Sequence, residues 1–450
     1  MTGKNFHYID TAWDETRKIV SFRYKIETNK KSFDLTETLE LPASAPSTKE
    51  VEATVRALHL ALGVSYYKAF IPPIIHHPYS MDNSEATFWN TVFTKGLSEF
   101  LYKNSLQPNK IASFNAQDGI KTISDETGEF TTTALLGIGG GKDSIVAGEL
   151  LKQIDIQPTG FVLATGEILG QTRSVADTMN IDLLPVKRQI DLQILEISKL
   201  DGAYNGHIPI SLVFALTGCL LAVCNRSKYI VVANEASASI PQVSWKGLQV
   251  NHQWSKSLEF EQLFQEYVHQ YISKKMAYFS AIRPLTSIGI AKLFSTYPAY
   301  YNVFTSDNSV FRIKQGERDH PRWSVDSPKS LSSYILMAPW MNDKELDAAF
   351  GRNFLDLPEL EELFISLLGR SNTPVLDCVG TPDELLFSLQ RLYEQDRLLE
   401  TALMKKAVNE GLVGNTKSTV VVDTIVDEHA FPEELAEKIK VYLQRELTEK

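Results

Sequence analysis

Cysteine is scarce: Cys219, Cys224 and Cys378 are the three thiols in 450 residues. They offer neither a disulfide framework nor a metal-ligand spacing. Their neighbours are largely apolar, so all three read as buried thiols in a reducing compartment. A basic excess is also missing. Lys and Arg number 45 against 55 Asp and Glu, a net charge of −10. That balance argues against a general nucleic-acid binder, although a local basic pocket escapes such an average. The residues from Met1 to Asp10 hold no apolar signal core, so export is not expected. The longest apolar stretch, Ile208 to Cys224, is interrupted by Pro209, Ser211, Thr217 and Gly218. It falls short of the ~20 residues that cross a bilayer and reads as a core helix. Repeats and low-complexity segments are absent as well. The expectation is a cytoplasmic protein with neither a nucleic-acid nor a membrane partner.

What is present is ordinary globular composition, 43% hydrophobic and 22% charged, enough for a sizeable core over two or three domains. The pattern divides the chain into 1–128, 129–300 and 301–450. In the first part, the alternation at Ile19–Ile26 and Phe33–Leu39 predicts half-buried antiparallel strands around the polar turn Glu27–Lys31. Helical spacing follows over Val51–Phe70 and Ala86–Tyr102, then a polar connector from Asn115 to Gly128. From Thr131 strands and helices alternate, the mark of a parallel sheet covered by helices. Strands are predicted at Thr131–Ile138, Gly160–Ala164, Leu183–Val186 and Tyr229–Ala233. Helices are predicted at Ser144–Ile154, Thr172–Met179 and Ile208–Asn225, the last with Pro209 in its first turn. The third part is loop-rich and basic at first and then mainly helical over Pro358–Leu412. It ends with a strand-like Val420-Val421-Val422 and a helix at Pro432–Leu447.

The sharpest local signal is Gly139-Gly140-Gly141-Lys142-Asp143-Ser144, between a predicted strand and a predicted helix. Three glycines free the backbone N–H groups to close around an anion. The helix start adds unpaired N–H groups and about half a positive charge. Lys142 adds a full charge and Ser144 a hydroxyl. Asp143 would repel phosphate unless a cation such as Mg²⁺ lies between them. A glycine-rich turn without ligand is the plain structural alternative. A Walker A loop is excluded, because its first glycine would fall on Leu136 and its Ser or Thr on Asp143. The dinucleotide fingerprint fails too, its third glycine falling on Lys142 or Ser144.

The turn resembles the Ser-Gly-Gly-x-Asp-Ser loop of the ATP pyrophosphatases, which include asparagine synthetase and NAD synthetase; Gly139 stands where serine is usual. The resemblance implies a PP-loop (HUP-like) α/β domain, with an N-terminal α+β region before it and a mainly helical region after it. It also implies ATP with Mg²⁺, cleavage between the α and β phosphates, and an adenylated substrate. Ala164-Thr165-Gly166-Glu167, at the end of the second predicted strand, is placed to read adenine through its backbone. A simple strand exit explains it equally.

Asn234-Glu235 and Asn251-His252-Gln253-Trp254-Ser255-Lys256-Ser257 follow the fourth predicted strand and should face the same cleft. Gly206-His207 precedes the buried helix. A solvated polar loop is the ordinary account of such runs; their place beside strand ends favours function. With Leu62-Gly63-Val64-Ser65-Tyr66-Tyr67-Lys68, these segments resemble the ATP-dependent UDP-N-acetylmuramoyl-L-alanyl-L-glutamate epimerases. That likeness implies a UDP-linked muramoyl dipeptide substrate. It implies adenylation of the glutamate α-carboxylate, which removes a charge and acidifies the Cα proton. His252, Lys256, Glu235 and His207 are then the candidate acids and bases, and Asn234 and Asn251 candidate substrate ligands.

One departure concerns the basic stretch from Arg312 to Ser330. Where the family carries a C-x₂-C-P-K-C pattern, this chain has Ser324, Ser327 and Ser330. Neutral hydroxyls are poor zinc ligands, so no zinc is expected there. Arg318, Arg322 and Lys329 remain suited to a diphosphate or carboxylate. Two other activities stay open on the residues alone: a ligase passing the adenylate to an amine, and a nucleotide-binding regulator without turnover.

Overall fold

The computed structural model describes residues 1–14, 16–116, 128–166, 170–307, 322–371, 375–414, 420, 422–423 and 425–449. The strands are β1 (Gly3–Trp13), β2 (Ile19–Thr28), β3 (Ser32–Glu40), β4 (Ile74–His76), β5 (Thr131–Gly137), β6 (Pro158–Ala164), β7 (Leu183–Gln189), β8 (Ser227–Val232), β9 (Val243–Trp245), β10 (Leu248–Val250) and β11 (Ala277–Ser280). The helices are α1 (Lys49–Tyr67), α2 (Asn83–Gly96), α3 (Ser98–Lys103), α4 (Lys142–Gln153), α5 (Gly170–Met179), α6 (Gln193–Ile197), α7 (Ile210–Asn225), α8 (Leu258–Tyr271), α9 (Ser287–Phe294), α10 (Pro328–Met337), α11 (Asp343–Phe350), α12 (Glu361–Leu367), α13 (Pro382–Glu394), α14 (Ala402–Asn409) and α15 (Glu433–Glu449).

Period-two burial does what it promises at the N-terminus. In β2 and β3 buried and exposed side chains alternate, and Ile19 to Glu27 pair antiparallel with Glu40 to Ser32. The hairpin does not form a separate sheet. Thr38, Leu39 and Glu40 pair with Gln189, Arg188 and Lys187 of β7, joining it to the strands that follow residue 130. One nine-stranded sheet results, in the order β11-β8-β5-β6-β7-β3-β2-β1-β4. Its first five strands run parallel; β7, β3, β2 and β1 are antiparallel neighbours. The protein is thus mixed α/β, with a large central sheet, parallel in its core, and a helical C-terminal region.

Alternation also assigns the two cores. Ala134, Leu136, Tyr229, Val231 and Phe279 face one cluster, shared with α4, α9 and the C-terminal helices. Their neighbours Leu135, Ile230 and Tyr278 face the other, shared with α1, α7 and α8. Successive strand residues point to opposite faces, so a sheet covered on both sides reads as continuous apolar sequence. Helix α7 is the predicted core helix, with Pro209 as its capping residue and Leu212 to Val223 buried almost throughout. Among the described residues no helix is long and apolar enough to cross a membrane. Val421 lies outside the described residues, and its neighbours Val420 and Val422 are not in a strand.

From β5 the chain winds to β6 and β7 on one side, then returns to place β8 and β11 on the other. The carboxyl ends of β5 and β8 therefore flank the point where the winding reverses, the place where open parallel sheets leave a crevice.

Candidate active site

The glycine turn occupies that crevice. Gly140 holds φ at +88°, a conformation costly for any residue with a Cβ. A Cβ at Gly141 would stand 3.0 Å from Ser306 Oγ and 3.3 Å from the Thr305 carbonyl. The segment 305–307 thus lies directly over the loop, fixed by Thr305 N–H donating to the Gly140 carbonyl at 3.0 Å. Gly141 is also the residue from which α4 starts. Lys142 is buried and ion-pairs with the half-exposed Asp143. Burial would lower the Lys142 pKa; Asp143 and then Glu235 outweigh it and raise the value, keeping the ammonium charged. Ser144 donates to the Gly141 carbonyl at 3.0 Å.

A cleft partly open to solvent begins at this loop. Its lining joins Lys142 and Asp143 to Asn234 and Glu235 after β8, Lys256, Ser306, Lys329 on α10, and Cys378. Three lysines against Asp143 and Glu235 suit a polyanionic ligand. Ser306 Oγ is buried and has no hydrogen-bond partner among the described residues. Such an orphan hydroxyl beside a glycine turn fits an anion oxygen. Asp143 is the loop carboxylate available to a Mg²⁺ ion, which commonly takes one or two carboxylates plus phosphate oxygens.

One buried scaffold holds the far wall. Arg283 and Glu261, both almost fully buried, pair through Nε at 3.0 Å and Nη2 at 2.7 Å. The same guanidinium donates to the carbonyls of Glu235 at 2.5 Å and Lys256 at 2.6 Å. Glu235 itself accepts from Ser237 and Ser287. Asn234 is pinned to Ser280 through its N–H and carbonyl.

Next to this wall, Glu99 on α3 pairs with both candidate histidines. It accepts from His252 Nδ1 and lies 3.7 Å from His207 Nδ1. The two rings are 4.5 Å apart. Burial works against a charge on His252, but hydrogen bonds to Cys378 and Glu99 prevail and raise its pKa to about 9. His207 goes the other way: burial and the neighbouring His252 charge push it down to about 4. The pair therefore holds one imidazolium and one neutral imidazole at neutral pH. Burial of Glu99 would raise its carboxyl, yet His252 and Lys103 hold it near 2.

Cys378 overturns the reading of three inert buried thiols. Cys219 is buried with its pKa raised by burial alone, as expected. Cys378 is only half-buried, lines the cleft, and accepts from Lys256 Nζ at 3.5 Å. Its sulfur, a His252 nitrogen and an Asp377 oxygen lie within 4.8 Å of one another. The ammonium of Lys256 already serves this anionic group, as Lys103 serves Glu99. Each cluster therefore carries a lysine partner, Lys256 for the thiol and Lys103 for Glu99.

The remaining candidates fall elsewhere. Thr165 is exposed at the end of β6, and Glu167 beyond it lies outside the described residues. Asn251 donates to the Ala238 carbonyl and accepts from Gln253 N–H, so its amide shapes the turn. Arg322 donates to the carbonyls of Tyr301, Phe304 and Ala348. Arg318, like Arg312 and Lys314, lies outside the described residues. Sequence reasoning missed Glu99, Arg283, Ser306 and Cys378. Glu99, Arg283 and Cys378 left only the signal of a charged or polar residue among apolar neighbours, and Ser306, inside the polar run from Thr305, left none.

Fold and site together define a class: an α/β protein whose parallel strands end in a glycine-turn cleft lined by three lysines, two carboxylates and a thiol. Comparison with known proteins then gives the family. The "MurL N-terminal domain" family matches residues 1–281 and the "MurL C-terminal domain" family residues 303–419. A protein of Xanthomonas oryzae pv. oryzae, named UDP-N-acetyl-alpha-D-muramoyl-L-alanyl-L-glutamate epimerase, is 30% identical over 97% of this chain and 96% of its own length. Proteins of the same name from Micromonospora sp. and Salinispora tropica are each 32% identical, over 83% and 80% of this chain and 82% and 78% of their own lengths. The chain belongs to this UDP-N-acetyl-alpha-D-muramoyl-L-alanyl-L-glutamate epimerase family.

Proposed function

We propose that this chain is a cytoplasmic, ATP-dependent epimerase of peptidoglycan precursor synthesis. It adenylates the α-carboxylate of the terminal L-glutamate of UDP-N-acetylmuramoyl-L-alanyl-L-glutamate, releases pyrophosphate, and inverts Cα to the D configuration. One observation carries the reading: the loop residues Lys142 and Asp143 share a single cleft with Glu235, Lys256 and Lys329. We read β5 to β8 with β11 as a PP-loop (HUP-like) domain; their parallel order, with Gly139, Gly140 and Gly141 following β5, supports that reading.

ATP is the co-substrate. Lys142, Ser144, Ser306 and the N–H groups starting α4 receive its phosphates, and Thr165 lies where backbone could meet adenine. Asp143 would hold Mg²⁺, which would supply positive charge against the triphosphate. Adenylation matters because the α-proton of a free glutamate carboxylate is too weakly acidic. Its removal would place a second negative charge beside the first. Once the carboxylate is an acyl-adenylate, the enolate carries its charge on an oxygen that Lys256 or Lys329 can stabilise. Inversion then needs one group to take the proton and another to return it on the opposite face. Glu235, Lys256 and the His252–His207 pair are among the described residues equipped for that work. Asn234 and Lys329 bind the substrate, with Arg318 assigned to it from sequence. Hydrolysis of the adenylate frees the D-glutamyl product and AMP.

The test is incubation with ATP, Mg²⁺ and the UDP-muramoyl dipeptide in D₂O, followed by mass spectrometry. The product should gain one deuterium at Cα as AMP and pyrophosphate accumulate. A product of unchanged mass, an amide product, or no AMP would each overturn the reading.

A further inference from the structure

Cys378 is a half-buried thiol on the wall of the same cleft that holds Lys142, Asp143 and Glu235. Its position is fixed from behind. The next turn opens α13 with a capping box between Thr381 and Glu384, and Glu384 accepts from Ile288 N–H at 3.0 Å. Around the sulfur stand Lys256 Nζ at 3.5 Å, His252, Asp377 and, from α10, Lys329. His252 in turn is held charged by this sulfur and by Glu99, with His207 neutral at its side. A thiol wanted only for packing needs no such cationic neighbours.

We propose that Cys378 is one of the two proton-transfer groups of the epimerisation, its thiolate stabilised by Lys256 and the Glu99–His252 pair. The role rests on the adenylation reading given above. The thiolate takes the Cα proton of the adenylated glutamyl group. The C–H electron pair moves into the enolate, and negative charge settles on the acyl oxygen. A protonated side chain across the cleft donates a proton to the opposite face as the enolate collapses. The thiol and its deprotonated partner then exchange protons with water, which restores the starting state. No oxidant or other reactant enters.

The protonation balance agrees with this geometry. Burial would raise the Cys378 pKa; Lys256, then Lys329 and His252, overcome it and bring the thiol down to about 7. A base near the working pH is the effective kind. Cys378 and then Glu99 hold the charge on His252, which in turn lowers His207, and Asp143 and Glu235 face Lys256.

The experiment compares Cys378→Ser and Cys378→Ala with the wild type in two assays, ATP–pyrophosphate exchange and deuterium entry at Cα. Deuterium entry should fall about 100-fold or more, and at least tenfold further than ATP–pyrophosphate exchange. Equal losses in both assays, or a serine variant exchanging Cα within tenfold of wild type, would overturn the role of Cys378 and leave adenylation standing. A wild type without ATP–pyrophosphate exchange would refute the adenylation reading itself. Should either variant fail to fold, alkylation of wild-type Cys378 by iodoacetamide across pH decides. A midpoint near 7 supports the thiolate, whereas one near an ordinary thiol value overturns it. Cys219, buried with its pKa raised, is the unreactive control.

Discussion

The two ends of the cleft are built in opposite ways. At the phosphate end, six consecutive residues, Gly139 to Ser144, supply the turn, the helix start, the ammonium and the carboxylate. At the thiol end, Glu99, His207, His252, Lys256 and Cys378 come from four separated segments. Each of those groups depends on another for its charge. The difference follows from the task. An anion cradle needs backbone N–H groups and one positive charge, which a local turn provides. A site that must set the protonation of a thiol and two imidazoles needs counter-charges at chosen distances, and only the tertiary fold brings those together.

The ends meet at Arg283, which ties the backbones of Glu235 and Lys256 to the buried carboxylate of Glu261. Replacing it breaks the comparison at its joint and should have the largest effect. Arg283→Met leaves Glu261 without its guanidinium in a fully buried place. A loss of about 3–5 kcal/mol of folding free energy is expected, read by urea denaturation. A loss below about 1 kcal/mol would mean that the two ends do not share a scaffold.

Asp143→Asn tests the phosphate end alone. Its carboxylate is half-exposed and, among the described residues, pairs with Lys142. The fold should survive with its thermal midpoint nearly unchanged. Pyrophosphate release should fall by about 10²–10³-fold, comparable to removing one pre-placed electrostatic group from other active sites. Unchanged release would remove the metal-holding role.

The contrast also explains what could be read from sequence. Alternation at 19–26 and 33–39 marked β2 and β3, and strand–helix alternation marked β5 to β8, because burial period and element type coincide there. Local patterning did not reveal that β3 pairs with β7, since a sheet edge carries no label for its partner. Strand β11, four residues long and wholly buried, offered no periodicity to count. The glycine turn was legible as a unit, whereas Cys378 in an apolar-looking stretch was not, because its cationic neighbours lie 49 or more positions away at Lys329, Lys256 and His252. Two of the serines in the 324–330 stretch have a local role. Ser324 N–H and Ser330 Oγ both donate to the buried Asp307, which lies next to Ser306 over the glycine turn.

Glu99→Gln sharpens the comparison at the thiol end, and its effect depends on pH. The Glu99 carboxyl is held near 2, so its share of stability is full above the ordinary carboxyl range and is lost as pH falls through about 2. His252 is raised to about 9, so its share is full below the ordinary imidazole value of about 6.5 and fades as pH rises through about 9. Both shares are complete only between about pH 4.5 and 6.5. The variant should therefore cost about 1–3 kcal/mol near pH 6 and clearly less near pH 10, where the imidazole is neutral. Thermal midpoints of variant and wild type at the two pH values measure the difference. In the same variant the alkaline limb of Cα exchange should move down from about 9, because the imidazolium has lost one of the two hydrogen-bond partners that hold it charged. A stability gap equal at both pH values, with an unmoved limb, would show that Glu99 packs beside His252 without setting its charge. The thiol end would then be as local in construction as the phosphate end.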